Sequence, residues 1–155
     1  MTLGIESVLR LSDFRVMKSY FEVMPTATAF DKSELHLAVD IGVLRSGESD
    51  DDMAVQPTID VNREDAEYES SGFTGSVVVT GFFDTAALKQ ERPDDWEPVL
   101  VFNAVTVLFG TVRTVYADLS AASPTGRIVL PAVNVGQILD REGESQAREA
   151  AAAGE

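Results

Sequence analysis

The feature that most constrains the fold is a long apolar segment, residues 99–120, which follows a polar stretch of the chain. Apolar side chains recur in it every three or four residues, at Leu100, Ala104, Leu108, Val112, Val115 and Leu119. This spacing predicts an α-helix of about six turns. Further apolar side chains lie on the other side of the same helix, at Val101, Phe102, Val105, Phe109 and Tyr116. A helix that is apolar nearly all round must be covered on more than one side.

Four segments upstream of this helix have the character of β-strands, namely residues 12–24, 34–43, 55–68 and 73–84. In the second segment one face is apolar throughout, with Leu35, Leu37, Val39, Ile41 and Val43. Such alternation is typical of a half-buried antiparallel strand. The acidic run 45–52 is predicted to be a solvated loop. This order predicts an α+β fold, in which a four-stranded antiparallel meander sheet is packed by a long crossover helix and a short C-terminal helix.

The C-terminal part of the chain is predicted to be extended first and helical afterwards. Pro124 ends the long helix, and Asn134 has the side chain to cap a last amphipathic helix that carries Ile138. The final residues have no apolar stripe wide enough to dock, so we expect them to be disordered. The sequence thus predicts one domain over residues 1–142 and an acidic, alanine-rich tail over residues 143–155.

Oligomerisation is the simplest explanation of the two-sided helix, because a single four-stranded sheet covers only one side of it. The expected interface residues are Val105, Phe109, Val112 and Tyr116. On this interpretation, glutamate at position 105 or 112 would separate the subunits, since an unpaired buried carboxylate is costly.

The charge of the chain excludes one large class of partners. There are 12 Lys and Arg residues against 26 Asp and Glu residues, which gives a net charge of −14. Nucleic-acid binding is excluded, because affinity for phosphate backbones comes chiefly from Lys and Arg. The N-terminus has no basic leader, and no run of about 18 apolar residues occurs. We therefore expect a cytoplasmic protein that does not enter the membrane.

The residues that usually carry catalysis are scarce. The chain has no cysteine, which excludes disulfides, thiolate zinc sites and thiol nucleophiles, and its single histidine, His36, lies on the polar face of a predicted strand. The acidic loop lacks the ligand spacing of a calcium-binding loop. Gly72, Gly75 and Gly81 lack the spacing of a phosphate-binding loop, so a close backbone approach or a bulge is the better explanation. The sequence predicts no enzyme, no metal and no cofactor.

The stretch from residue 108 to 139, LFGTVRTVYADLSAASPTGRIVLPAVNVGQIL, resembles the SecB family of cytosolic export chaperones. The matching residues are Leu108, Phe109, Arg113, Leu119, Leu130, Val133 and Asn134. Upstream, GFFDTAAL at residues 81–88 and SYFEVMPTATAF at residues 19–30 are similar to the end of the family's fourth strand and to its first strand and loop. The resemblance covers roughly residues 12–142. The family's Trp-x-Pro is missing and its glycine pair is replaced at residues 121–125, which indicates a divergent member.

The resemblance implies an ATP-independent holdase that keeps unfolded preproteins competent for export and translocation. Members of the family assemble as homotetramers, dimers of dimers, and their grooves lie between the sheet and the loop plus the last helix. The client-binding residues would then be Leu35, Leu37, Val39, Ile128, Leu130, Val133 and Ile138, although strand alternation alone would also place them in an ordinary core. An acidic contact to the motor SecA falls on Glu22, whereas a second acidic position of the family is Lys18 here.

Two other functions remain open. Divergent members of the family hold antitoxins of toxin–antitoxin systems, and the charge reversal at Lys18 favours such a dedicated chaperone. A protein of a different class, a small-ligand binding domain with an apolar pocket between sheet and helices, would also suit the pattern. Trp96 is either a client-facing aromatic or a cover for the start of the long helix.

Overall fold

The computed structural model describes residues 9–33, 35–45 and 47–154. Its elements in chain order are β1 (Arg10–Val23), β2 (Leu37–Arg45), β3 (Asp52–Val61), α1 (Asp65–Ser71), β4 (Phe73–Asp84), α2 (Ala86–Glu91), α3 (Trp96–Ala121) and α4 (Val135–Ala153). The four strands form one antiparallel sheet. The predicted α+β class, with a four-stranded antiparallel sheet and helices packed on it, is confirmed. Glu34, the first residue of the predicted second strand, lies outside the described residues.

The strand order is β1-β4-β3-β2, so the meander comprises β2, β3 and β4, and β1 pairs with the far edge of β4. The chain leaves β1 beside the start of β4, where Met24 N–H donates to Gly72 O (2.8 Å) and Asp31 N–H donates to Ser71 O (3.1 Å). This crossing link carries the chain past the sheet to the opposite edge. The arrangement places the most apolar strand, β4, between two neighbours, while β1 and β2 become edge strands.

The predicted third strand is wrong in its second half, which forms helix α1 instead. Strand β3 ends at Val61, and Asn62 follows with a positive φ of 51°. The buried Asn62 side chain donates to Ser71 Oγ at 2.9 Å, which holds the turn closed. Glu64 and Glu67 then form a reciprocal capping box at the start of α1. Glu64 and Glu67, which interrupt the apolar alternation of a strand, therefore mark the start of a helix.

Helix α3 lies across one face of the sheet and forms the core with it. The core residues that α3 contributes are Leu100, Ala104, Val105, Leu108, Phe109, Val112 and Tyr116. The predicted oligomer interface is therefore wrong: Val105, Phe109, Val112 and Tyr116 are all buried within the protomer. The exposed side of α3 carries Phe102 and Val107, which are 47% and 55% exposed. The helix is long and apolar enough to cross a membrane, with a mean hydropathy of 1.6, but one side of it is a core surface.

The hydroxyl of Tyr116 anchors α3 to the sheet. Its Oη donates to Ile59 O at 2.6 Å, and burial of the ring raises the pKa of the phenol above its ordinary value. We expect Tyr116→Phe to lower the free energy of unfolding by about 0.5–1.5 kcal/mol, because the buried hydrogen bond between the Tyr116 hydroxyl and the Ile59 carbonyl is lost. Urea denaturation followed by circular dichroism measures this loss.

The same tyrosine should make stability depend on pH. A phenol whose pKa is raised on folding stabilises the protein below its unfolded pKa of 10.0, and this contribution is lost as pH rises above that value. The decline in unfolding free energy above pH 10 should therefore be less steep in Tyr116→Phe than in the wild type. Equal slopes for the two proteins would show that Tyr116 does not titrate on unfolding.

Helix α4 begins where the sequence predicts and is longer than expected. The side chain of Asn134 accepts the N–H of Gln137 at 3.1 Å, which confirms the predicted cap. The helix then continues to Ala153, through residues predicted to be a disordered tail. Its second half is rich in alanine, glutamate and arginine, which have high helix propensity. No residue of α4 is buried, so the helix depends on propensity more than on packing.

Candidate functional site

An open groove of about 740 Å³ lies between the edge strand β2 and helix α4. Its apolar lining comes from β2 and the residues before it on one side, and from the segment leading into α4 on the other. The apolar side chains are Leu35, Leu37, Ala38, Val39, Ala132, Val133 and Ile138. The partial burial of Leu35, Leu37, Val39 and Val133 against the core follows from strand alternation and from the extended path before α4.

Charged side chains share the lining of the groove with these apolar residues. The groove is also lined by Asp40, Arg63, Arg141, Glu142 and Glu149. Arg63 lies 3.8 Å from Asp40 and 3.7 Å from Asp60, so its charge is balanced by two carboxylates. Arg141 makes no ion pair with the residues that the structure describes. The groove therefore combines apolar side chains with charged ones, a mixture that protein-binding surfaces also show.

The structure brings together most of the residues predicted to bind a client. Leu35, Leu37, Val39, Val133 and Ile138 all line the groove. Ile128 and Leu130 do not, because their side chains are buried in the core, 3% and 0% exposed. The strand pattern cannot separate these two sets, since a partly buried and a fully buried side chain show the same alternation. Whether the five groove residues contact a client stays a prediction.

A second, shallower depression of about 620 Å³ adjoins the groove. It is lined by Lys32, Ser33, Leu35, His36, Val129 and Pro131. Leu35 lines both depressions, so they form one continuous surface around the extended segment that precedes α4. Val129 is 58% exposed here, while Arg113 Nε donates to the neighbouring Leu130 O at 3.0 Å and holds the segment in place.

The backbone of β2 is linked at Ile41 to Glu142, which lines the groove. Opposite Ile41 in the sheet stands Pro57, which has no N–H to donate. The N–H of Ile41 points away from β3 and donates to Glu142 Oε1 of α4 at 3.3 Å. On the other side of Pro57, where the ladder to β4 is interrupted, Gln56 Nε2 donates to Thr80 Oγ1 at 2.7 Å.

Strand β1 exposes a second apolar surface at the opposite edge of the sheet. Its exposed large side chains are Leu11, Phe14, Val16, Met17 and Tyr20. Near its end the hydroxyl of Tyr20 donates to Glu22, and this bond raises the pKa of the tyrosine. The ammonium group of Lys18 lies 6.0 Å from the centre of the Tyr20 ring. Glu22, the predicted acidic contact, is thus exposed and already bonded within β1.

The contacts of the other residues considered from the sequence, Trp96, His36 and Gly75, are explained by the fold. Trp96 packs partly against the core, and the Lys89 ammonium lies 4.5 Å from the centre of its ring, so it covers the start of α3. His36 Nδ1 lies 3.2 Å from Glu67 Oε2 at the surface. Adding a Cβ to Gly75 would bring it within 2.6 Å of Tyr116 Cε1, which confirms the predicted close approach there. Among the described residues, no group of three acidic, histidine or cysteine side chains is placed to hold a metal.

The chain matches no protein-family profile and no curated protein. Among solved structures it is similar to the SecB-like chaperone Rv1957 of Mycobacterium tuberculosis, in complex with a ChAD peptide from the antitoxin HigA1 (Rv1956). The TM-score is 0.60 at 12% sequence identity, and the alignment covers 81% of this chain and 91% of the other. The order of strands and helices described above therefore corresponds to that of a SecB-like chaperone, and the fold of this chain is SecB-like.

Proposed function

We propose that the protein is an ATP-independent holdase that binds unfolded polypeptides in the groove between β2 and α4. The observation that carries the proposal is the groove itself, an open depression of about 740 Å³ that is lined by apolar and charged side chains. A surface of this kind suits chains that expose apolar side chains before they fold. The net charge of −14 would keep such a protein soluble despite its exposed apolar groups. The function needs neither nucleotide nor metal.

The proposed assembly is a homotetramer, a dimer of dimers, with surfaces other than those expected from the sequence. The first is the edge of β1, which exposes Phe14 and Met17, 48% and 58% exposed. Long, apolar edge strands tend to pair with another chain unless they are covered. The second is the outer side of α3, which exposes Phe102 and Val107. A second copy on each surface would cover them.

The client is proposed to be an unfolded polypeptide, either the antitoxin of a toxin–antitoxin system or a preprotein destined for export. The similarity to a chaperone that carries an antitoxin peptide favours an antitoxin client over exported preproteins. The surroundings of Glu22 support the same version, because its carboxylate accepts the Tyr20 hydroxyl and a cation at Lys18 stands nearby. Binding to SecA through this edge remains the alternative, and it predicts copurification with the motor.

A small-ligand binding domain is the second candidate from a different class. Against it, the groove is open along one side and continues into the depression beside Val129, whereas small-ligand sites usually enclose their ligand. Residues 1–142 are proposed as the functional domain, and residues 143–153 continue α4 beyond it. Removing residues 143–155 should leave the fold intact, because the described residues among them contribute no buried side chain. It also removes Ser145, Gln146 and Glu149 from the lining of the groove.

The test combines mass and activity on one sample. Light scattering after size exclusion should give the mass of four chains, and the same fraction should slow the aggregation of a chemically denatured client. A monomer that fails to slow aggregation would overturn the proposal. A defined small molecule that copurifies and raises the melting temperature, without any effect on aggregation, would establish the ligand-binding alternative. Comparing an antitoxin segment with a preprotein as clients separates the two biological roles.

A further inference from the structure

We propose that a bound polypeptide adds to the outer edge of β2 as a fifth strand, and that Glu142 occupies the position of the polypeptide's carbonyl group until then. The inference deepens the proposed function and rests on it, since it states how the client is held. It predicts recognition of the client backbone in addition to its apolar side chains.

The first support is the orientation of the β2 backbone. Opposite Ile41 stands Pro57, and the N–H of Ile41 points to the outer edge, where it meets Glu142. In an antiparallel ladder the hydrogen-bonding direction alternates along the strand. Leu37, Val39 and Val43 therefore also direct their N–H and C=O groups outward. The side chains of these same residues lie in the groove or against the core. A polypeptide at this edge could therefore contact both their side chains and their backbone groups.

The second support is the contact that Glu142 makes. A carboxylate oxygen 3.3 Å from the Ile41 nitrogen lies where the carbonyl oxygen of a neighbouring strand would be. Among the described residues, this is the hydrogen bond that joins a side chain of α4 to the backbone of β2. The helix that supplies it has no fully buried residue, and among its residues only Val135, in the first turn, packs partly against the core, so displacing the helix at Glu142 uncovers little of the core.

The third support is that the groove continues along the edge. The apolar residues Leu35, Leu37 and Val39 form its floor directly beside β2. Residues 37–43 of β2 span roughly 20 Å, at about 3.3 Å per residue, and the first four of them line the groove. An extended segment of similar length would place every second side chain on this floor and its backbone against the edge. A small molecule would use the floor but could not satisfy a row of backbone groups.

Backbone methylation of a peptide tests the inference directly. The probe is a synthetic peptide of about nine residues that alternates valine or leucine with serine or lysine, so that one face is apolar. Two derivatives carry N-methyl groups only at apolar positions or only at polar positions. Binding to the full-length protein is measured by fluorescence anisotropy. Strand addition predicts that one derivative loses at least about 10-fold in affinity while the other binds like the parent.

The derivative that loses affinity also reports the direction of the added strand. In antiparallel addition the apolar residues point their N–H groups at β2, so methylation at apolar positions is the harmful change. In parallel addition it is methylation at polar positions. If both derivatives bind like the parent, the groove recognises side chains alone and the inference is overturned. If the parent itself does not bind, the proposed function fails, which is a different outcome.

Substitution of Glu142 supplies the second test. Glu142→Ala should bind the parent peptide between about 2-fold and 10-fold more tightly, because the peptide no longer displaces a hydrogen bond. Glu142→Gln keeps an acceptor and should stay close to the wild type. Glu144→Ala is the matched control, since it removes the same charge from the same helix at a position that does not line the groove. Equal gains for Glu142→Ala and Glu144→Ala would assign the effect to net charge and contradict the role of Glu142.

Discussion

Glutamate in place of Val112 is expected to unfold the protomer instead of separating subunits. Val112 is fully buried between α3 and the sheet, among the residues that form the core. A carboxylate there has no partner and should cost more than about 4 kcal/mol, a large part of the roughly 5–15 kcal/mol that stabilises a domain. The variant should lose its cooperative thermal transition in circular dichroism. A native spectrum together with a smaller mass would contradict this expectation and restore the interface expected from the sequence.

The matched control lies one and a half turns away on the opposite side of α3. Val107 is 55% exposed, so Val107→Glu introduces the same group without burying it in the protomer. Its far-UV spectrum should stay native while light scattering reports a lower mass, because the proposed contact between α3 helices would now bring carboxylates together. An unchanged mass would remove the outer side of α3 from the proposed assembly.

The periodicity of α3 predicts the helix but not its orientation, and the reason is physical. Both of its long sides are apolar, so the pattern carries little information about which side meets the sheet. The missing information lies in β4, where glycines stand opposite the large residues of α3. An added Cβ at Gly75 would lie 2.6 Å from Tyr116, and one at Gly81 would lie 3.0 Å from Leu108. Reading the two segments together would have placed Tyr116 and Leu108 inward.

The candidate groove could be predicted on one side only. Its β2 side follows from strict alternation, which puts Leu37 and Val39 on the face that packs. Its α4 side depends on how an extended segment crosses the sheet, and there local pattern fails: Leu130 is buried whereas Val133 lines the groove. The hydrogen bond from Arg113 to the Leu130 carbonyl fixes that path, and it joins residues 17 positions apart. Such a tertiary contact leaves no periodic signal in the sequence.

The proposed oligomer surfaces could not be predicted for a different reason. An apolar residue on an edge strand and one in a core look alike in sequence, so the exposure of Phe14 and Met17 becomes visible only with the strand order. In the observed order β1-β4-β3-β2, the edge strand β1 pairs with β4. In a simple meander β1 would also be an edge strand, but it would pair with β2. The pairing with β4 separates the β1 edge from the groove by the full width of the sheet. Assembly and client binding can therefore use different edges at the same time.

Aspartate in place of Ile138 is expected to abolish the proposed holdase activity while the fold survives. Ile138 lies on α4, lines the groove and is only partly buried, and α4 as a whole has no buried residue. The new carboxylate would be desolvated whenever an apolar client segment binds beside it. Client affinity should therefore fall at least about 10-fold. Suppression of aggregation of a denatured client, measured by light scattering over a range of chaperone concentrations, gives the loss.

The matched control for Ile138 is Leu44→Asp on strand β2. Leu44 is 57% exposed and does not line the groove. Its side chain lies on the opposite face of β2 from that of Val43, which packs against the core. It introduces the same charge into an equally acidic protein, so any general effect of net charge on clients appears in both variants. Normal suppression by Leu44→Asp together with loss in Ile138→Asp assigns client binding to the groove. Equal loss in both would mean that repulsion by the acidic surface, and not the apolar floor, governs which chains bind.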